Sequence, residues 1–276
     1  GNAAVGASVD VNKLNDKVYA YVQNGSEIKD GTTVNAQHAV EINNVLLAAT
    51  IAGTGAAVSI VPVINSYTGT TIAEINGNSI VNDGVVKINA FDNIDNFSAV
   101  AGLGGAGVGA NVSGYLIKNS YENTVKAGIN GLNIDTTNNI NISSASVVNS
   151  ENALLAAGLA GVGANVTANV IVNDIESHVN SYINNSVITN AGEITLTANK
   201  KKDGTLYNLT GSAGVTGIGA NVSTNMIFNI YNNTTQSYVS DTDVENAKGL
   251  TVEAHGDKKF TEKNYGIGAA AMGAAV

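Results

Sequence analysis

Short stretches in which apolar and polar residues strictly alternate recur along the chain at a nearly constant spacing. A period of two with β-branched residues predicts half-buried β-strands. The clearest stretches are Val86-x-Ile88-x-Ala90, Ile140-x-Ile142, Ile194-x-Leu196-x-Ala198 and Leu250-x-Val252-x-Ala254. Residues that tolerate left-handed backbone angles precede them and predict turns. These turn signals are Asn24-Gly25, Asn76-Gly77, Asn130-Gly131, Asn184-Asn185 and Ser240-Asp241.

The alternation belongs to an internal repeat with the anchor motif Gly-Ala-x-Val. The motif begins at Gly6, Gly55, Gly109, Gly163, Gly219 and Gly273. Ten residues after the anchor glycine stands an asparagine, or Asp16 in the first repeat: Asn65, Asn119, Asn173 and Asn229. Short strands and turns at a fixed period indicate a repeat protein in which neighbouring repeats stack on one another.

These features predict an all-β fold, a right-handed parallel β-helix (β-solenoid) with about two coils per repeat of roughly 54 residues. One such segment is expected over residues 1–276, with repeats near 6–54, 55–108, 109–162, 163–218 and 219–272. About ten coils spaced by about 4.8 Å would form a rod of roughly 45 to 50 Å. Because neither end resembles a polar cap, we expect a fragment of a longer array.

Several details of the stack follow from the repeat. Asparagines at one phase are expected to form a hydrogen-bonded ladder. The anchor glycines should allow close backbone approach or a tight corner. Pro62 lacks a donor within a strand-like stretch and should mark a bulge or a locally unpaired edge. A propeller is the main rival fold, but 5% aromatic residues and no tryptophan argue against it.

Composition excludes several classes of function. The 276 residues contain no cysteine, no tryptophan and no arginine, and the net charge is −9. This balance lacks the basic surface that nucleic-acid binding requires. Without cysteine there is no thiol nucleophile, disulfide or thiolate metal site. The only basic run, Lys200 to Lys202, is interpreted as a solvated loop.

Three motifs suggest chemistry but have simpler explanations. Gly102, Gly104 and Gly107 fit a dinucleotide fingerprint with Glu122 downstream, yet no amphipathic helix follows them. The acidic run Asp241, Asp243 and Glu245 lacks the spacing of an EF-hand and is interpreted as a solvated turn. Asp92 and Asp95 offer a carboxylate pair, which a charged loop explains as well.

The three histidines, His38, His178 and His255, lie far apart in the sequence, although His38 and His255 share a phase. A solenoid keeps distant repeats distant, so no triad or metal cluster is expected. We therefore predict no catalytic, cofactor-binding or metal-binding residues, no cofactor and no enzymatic activity.

The repeat quoted from Gly161 to Ala198, Gly-Val-Gly-Ala-Asn-Val followed by Ser-Tyr-Ile-Asn-Asn-Ser and Gly-x-Ile-x-Leu-x-Ala, resembles a known class. It is similar to repeats of large secreted leukotoxins and filamentous-haemagglutinin-like adhesins of Gram-negative bacteria. The resemblance implies a type V secretion passenger that folds outside the cell. It implies an extracellular or cell-surface location, an outer-membrane translocator as a partner during secretion, and a host receptor or matrix component as a binding partner.

The function expected from this resemblance is structural and host-binding. The contact edge is expected at variable loops near Phe91 to Ser98, Lys200 to Leu206 and His255 to Lys263, because insertions at one phase collect on one face. Nucleic acid and a dedicated small-molecule ligand are not expected as partners. The alternatives are a cytolysin segment, in which glycine-alanine runs such as Gly105 to Gly109 act on membranes, and a glycan-degrading β-helix.

Overall fold

The computed structural model describes residues 3–23, 25–77, 80–200, 204–257 and 259–276. Within these ranges the protein is all-β, and no helix there is long and apolar enough to cross a membrane. The strand pairs are parallel. The strands are β1 (Ala4–Ala7), β2 (Asp10–Gln23), β3 (Glu27–Ile28), β4 (Thr32–Thr54), β5 (Ala57–Asn76), β6 (Ile80–Asn82), β7 (Val86–Asn130), β8 (Asn133–Asp135), β9 (Ile140–Asn184), β10 (Val187–Thr189), β11 (Glu193–Lys200), β12 (Thr205–Ser240), β13 (Asp243–Glu245), β14 (Gly249–Gly256) and β15 (Lys259–Ala275).

Each repeat forms one layer that pairs in register with the next. Asn119 pairs with Asn173, 54 residues on, and Asn173 pairs with Asn229, 56 residues on. The prediction of two coils per repeat is therefore wrong. The two halves of a repeat do not stack, because they face each other across the interior, as the 3.1 Å hydrogen bond from Asn65 to Ser98 requires. Five layers give four steps of about 4.8 Å, or roughly 20 Å instead of 45 to 50 Å.

Every layer has three sides. The first face contains β1, β2, β5 and residues 111–130, 165–184 and 221–240. The second face contains β4, residues 86–108, 140–162 and 205–218, and β11, β14 and β15. These two faces belong to one ten-stranded sheet, and the short strands β3, β6, β8, β10 and β13 form a separate five-stranded sheet, here called the short side.

Residues with positive φ turn the chain at the corners of the layers. The turn predicted before the short side is confirmed, with one such residue per layer: Gly25 (76°), Gly77 (75°), Gly131 (74°), Asn185 (48°) and Asp241 (47°). Asn24 lies outside the described residues. The anchor glycines turn the chain from the second face into the first face of the next layer, with φ between 103° at Gly55 and 138° at Gly273. The prediction of a tight corner is confirmed.

The Gly-Ala-x-Val motif places the first repeat out of register with the other repeats. Gly6 pairs with Ser59 and not with an anchor glycine, so its Gly-Ala-x-Val match is accidental. Asn12, not Asp16, occupies the phase of Asn65, because the step between these layers is 53 residues.

Pro62 shows no bulge, since it pairs with Leu116 in unbroken register. On its other side the pairing is interrupted between Ala7 and Asp10, which separate β1 from β2. The expected locally unpaired edge is therefore present where proline has no N–H to donate.

In the interior, clusters of apolar side chains alternate with rows of hydrogen-bonded polar side chains. Ile75, Ile88 and Ile142 belong to the largest apolar cluster, next to the short side. The predicted ladder is confirmed at the centre, where each asparagine Nδ2 donates to Oδ1 of the next layer's asparagine. The distances are 3.0 Å (Asn12 to Asn65), 2.8 Å (Asn65 to Asn119), 2.8 Å (Asn119 to Asn173) and 2.8 Å (Asn173 to Asn229).

Candidate functional site

A histidine and two aspartates meet between the first two layers. His38 Nδ1 lies 2.9 Å from Asp92 Oδ1, and His38 Nε2 lies 3.5 Å from Asp16 Oδ2. The Tyr67 hydroxyl lies 3.0 Å from His38 Nδ1, and Asn123 Nδ2 donates to Asp92 Oδ2 at 2.8 Å. We call these five residues the histidine cluster.

The stacking of layers brings this cluster together. His38 pairs with Asp92 because they are 54 residues apart on the second face. Tyr67 reaches them from the first face over Gly69, where any Cβ would overlap the tyrosine ring. Burial, and then the Asp92 carboxylate, raise the pKa of the Tyr67 hydroxyl. The phenol therefore stays protonated and available as a donor.

The histidine cluster is built as an internal polar network. Asp92 is only 1% exposed, and its carboxylate oxygens already accept hydrogen bonds or contact His38. The Asp92 carboxylate thus has its partners in place and links the layers, whereas the buried Oδ1 of Asn123 accepts no hydrogen bond from the described residues. Among the described residues, no group of histidine, aspartate and glutamate side chains has the arrangement of a metal site.

The other titratable candidates stay apart. Asp95 lies on the outer side of β7, where Asn93 and Asn149 donate to it, so Asp92 and Asp95 do not form a pair. His255 pairs with Asn199, whereas the column of His38 continues through Lys200 to Gly256. The prediction that His38 and His255 share a phase is therefore wrong by one residue, which turns their side chains to opposite sides of the strand.

His178 and His255 each contact a glutamate two residues earlier on the outer surface. His178 Nε2 lies 3.1 Å from Glu176, and His255 Nε2 lies 3.2 Å from Glu253. Exposed pairs of this kind contribute little to stability.

The glycine motif lies inside strand β7, so the loop and helix of a dinucleotide site do not form there. Gly102 leaves room for the ring of Tyr115, and Gly104 for the side chain of Asn111. Glu122 is exposed on the first face. In the acidic run, Asp241 has a positive φ at a corner, and Asp243 and Glu245 belong to the short side.

The expected loops differ among the layers. Phe91 to Ser98 lies within β7 and pairs with β9, so the prediction of a loop there is wrong. In the fourth layer a two-residue insertion is present, because Ser146 pairs with Lys200 but Ser150 pairs with Leu206. Residues 201–203 and 258, which belong to the other two predicted loops, lie outside the described residues.

Tyrosines line up on the outer side of the first face beside the short side. We call the positions Tyr21, Glu74, Gly128, Tyr182 and Tyr238 the tyrosine column, because they pair in this order from layer to layer. The rings of Tyr182 and Tyr238 stack with centroids 5.7 Å apart. Next to the column, Tyr19 stacks on Tyr21 at 5.5 Å.

Gly128 allows contact between side chains two layers apart. The Tyr182 ring lies over this glycine, and its hydroxyl donates to Glu74. Burial, and then this contact with Glu74, raise the pKa of Tyr182. The sequence signal for the column is the recurrence of tyrosine shortly before the turn, at Tyr21, Tyr182 and Tyr238.

Comparison with known proteins finds no matching family model, no matching curated protein and no matching solved structure. The resemblance of the repeat to leukotoxins and adhesins therefore stays a prediction.

Proposed function

We propose that the chain is a stretch of parallel β-solenoid, right-handed, and a non-enzymatic structural and host-binding segment of a secreted bacterial virulence factor. The proposal rests on one observation: successive repeats pair in register through five layers. Such stacking builds an extended scaffold whose outer columns repeat from layer to layer.

The tyrosine column is the proposed contact surface. Tyr21 and Tyr238 are 41% and 42% exposed, and Tyr19 is 48% exposed. Tyrosine is enriched among the residues that dominate binding energy at interfaces, because it combines large apolar area with a hydroxyl. Two stacked pairs of rings with Glu74 between them suit a host protein or glycoprotein that presents apolar patches and hydrogen-bond donors.

The composition supports a secreted location. A chain without cysteine cannot be trapped by periplasmic disulfides, and its net charge of −9 favours solubility. Together with the resemblance of the repeat, this supports type V secretion through an outer-membrane translocator. The cytolysin and glycan-degrading alternatives stay predictions.

We expect the triple variant Tyr19→Ser, Tyr21→Ser and Tyr238→Ser to bind cultured host cells about tenfold or more weakly than the unsubstituted chain. Binding of the fluorescently labelled proteins to epithelial cells and leukocytes is measured by flow cytometry over a concentration series. Circular dichroism and melting curves verify that the variant remains folded.

The matched control is Phe97→Ser, which removes an aromatic residue that is 40% exposed on the second face. It should bind like the unsubstituted chain. Absence of saturable binding by the unsubstituted chain, or equal binding by the folded triple variant, would contradict the proposed contact surface.

A further inference from the structure

Glu74 is the acidic residue of the tyrosine column, and tyrosines lie on both sides of it. Tyr21 pairs with it from the first layer. On its other side Gly128 has no side chain, so the Tyr182 ring reaches over that glycine and its hydroxyl donates to Glu74. Burial, and then the charge of Glu74, raise the pKa of the Tyr21 hydroxyl, as expected for a phenol close to a carboxylate. The carboxylate and the rings therefore form one surface.

The Glu74 carboxylate can accept further hydrogen bonds. Its Oε1 accepts from the Tyr182 hydroxyl, and its Oε2 accepts from Asn76 Nδ2 at 3.2 Å. These are the side chains that donate to it among the residues that the structure describes. Because the two oxygens of a carboxylate offer about four acceptor positions, roughly one position remains on each oxygen.

The charge of Glu74 also lacks a counter-ion. In the part of the chain that the structure describes, no lysine or histidine forms an ion pair with it. Lys126 lies in the neighbouring outer column, where it pairs with Ile72. Glu74 is half-buried, and a partner that covers the tyrosine column would remove its remaining water. Burial of an unpaired charge is costly, so such a partner must bring a cation to this position.

The rings and the carboxylate together favour a guanidinium over an ammonium group. A guanidinium is planar, stacks on aromatic rings and donates two parallel hydrogen bonds to one carboxylate. The exposed rings of Tyr19, Tyr21 and Tyr238 offer the aromatic surface, and the two oxygens of Glu74 offer one acceptor position each. An ammonium group is a compact and strongly hydrated charge that cannot make the planar, two-pronged contact.

We propose that the tyrosine column binds an arginine side chain of the host partner, with the guanidinium on the Glu74 carboxylate and against the neighbouring rings. The arginine rests on the contact surface proposed above and specifies the chemical group that this surface recognises. It supplies both the hydrogen-bond donors and the positive charge that the column lacks.

The test is an NMR titration of the full chain with short peptides at low ionic strength. The peptides are acetyl-Gly-Gly-Xaa-Gly-Gly-amide, in which Xaa is arginine, lysine or citrulline, and choline is titrated separately. Citrulline has nearly the shape of arginine but carries no charge. We expect the arginine peptide to bind about tenfold more tightly than the citrulline peptide and about threefold more tightly than the lysine peptide.

Glu74→Gln should weaken binding of the arginine peptide about tenfold and remove its preference over the citrulline peptide, because the amide keeps an acceptor for Tyr182 but has no charge. The matched control is Glu122→Gln. It removes the same charge from an exposed position of the first face that pairs with Thr68 and Glu176 and not with tyrosines. Its affinity for the arginine peptide should not change. Melting curves verify that both variants remain folded.

Host-cell binding distinguishes the arginine from the contact surface itself. If the triple tyrosine variant loses cell binding but Glu74→Gln retains it, arginine recognition is overturned and the contact surface stands. An arginine preference that depends on Glu74, in a chain whose cell binding survives the triple substitution, supports arginine recognition and contradicts only the host-contact role. Four further results would overturn arginine recognition. They are no binding of any peptide, equal affinity for arginine and citrulline peptides, equal losses in Glu74→Gln and Glu122→Gln, and tighter binding of choline than of the arginine peptide.

Discussion

Replacing Gly109 by alanine is expected to lower the free energy of unfolding by about 4 kcal/mol or more. Gly109 has a φ of 130°, which residues with a Cβ rarely adopt. A Cβ there would also overlap the carbonyl oxygen of Gly55 in the preceding layer. Because that obstacle is backbone, the clash cannot be relieved by a side-chain rotation. Urea unfolding followed by circular dichroism measures the loss.

The matched control is Gly114→Ala, five residues further along β7. A Cβ on Gly114 has nothing within 4 Å, and its φ is not positive. Alanine in a strand interior should leave stability unchanged or raise it by up to about 1 kcal/mol, since it restricts the unfolded chain. Similar stabilities for the two variants would contradict the role of Gly109 at the corner.

Replacing Asn119 by alanine is expected to lower the free energy of unfolding by about 3 to 5 kcal/mol. Asn119 is fully buried, accepts from Asn65 at 2.8 Å, and donates to Asn173 and Asn152 at 2.8 Å each. Removing its amide deprives a donor in the second layer, an acceptor in the fourth layer and an acceptor on the opposite face of the same layer of this partner. The unpaired groups remain buried, so their lost hydration is not recovered.

Asn35→Ala is the control for this substitution, because Asn35 is exposed on the outer side of β4. Its effect should stay within about 0.5 kcal/mol. Equal losses for Asn35→Ala and Asn119→Ala in the same urea titration would mean that the ladder adds nothing to stability beyond the strands themselves.

Local features of the fold could be predicted because they depend on residues close together in the sequence. The alternation from Val86 to Ala90 specifies a strand with one buried side, and Asn130-Gly131 specifies a turn. The number of layers per repeat could not be predicted in this way. Alternation determines which side chains point inwards, but it is the same whether two half-repeats stack or face each other.

The histidine cluster and the tyrosine column depend on the number of layers per repeat, which could not be predicted. His38 and Asp92 meet because one whole repeat separates them, and a step of half a repeat would place other residues beside them. Tyr182 and Glu74 are 108 residues apart and meet only because Gly128 lies between them. Contacts of this kind depend on which residues pair between neighbouring layers. The period of the sequence is compatible with a stacking step of a whole repeat or of half a repeat, so it does not determine this pairing.

The most direct test of the one-layer repeat is disulfide formation between introduced cysteines, since the chain has none of its own. Glu122 pairs with Glu176 on the first face, and neighbouring strands lie about 4.8 Å apart, within the Cα range of disulfides. A one-layer repeat predicts that Glu122→Cys with Glu176→Cys forms a disulfide under mild oxidation, as seen by mass spectrometry. It predicts no disulfide for Glu122→Cys with Asn149→Cys, because these positions lie half a repeat apart and on opposite faces. The reverse result would contradict the one-layer repeat.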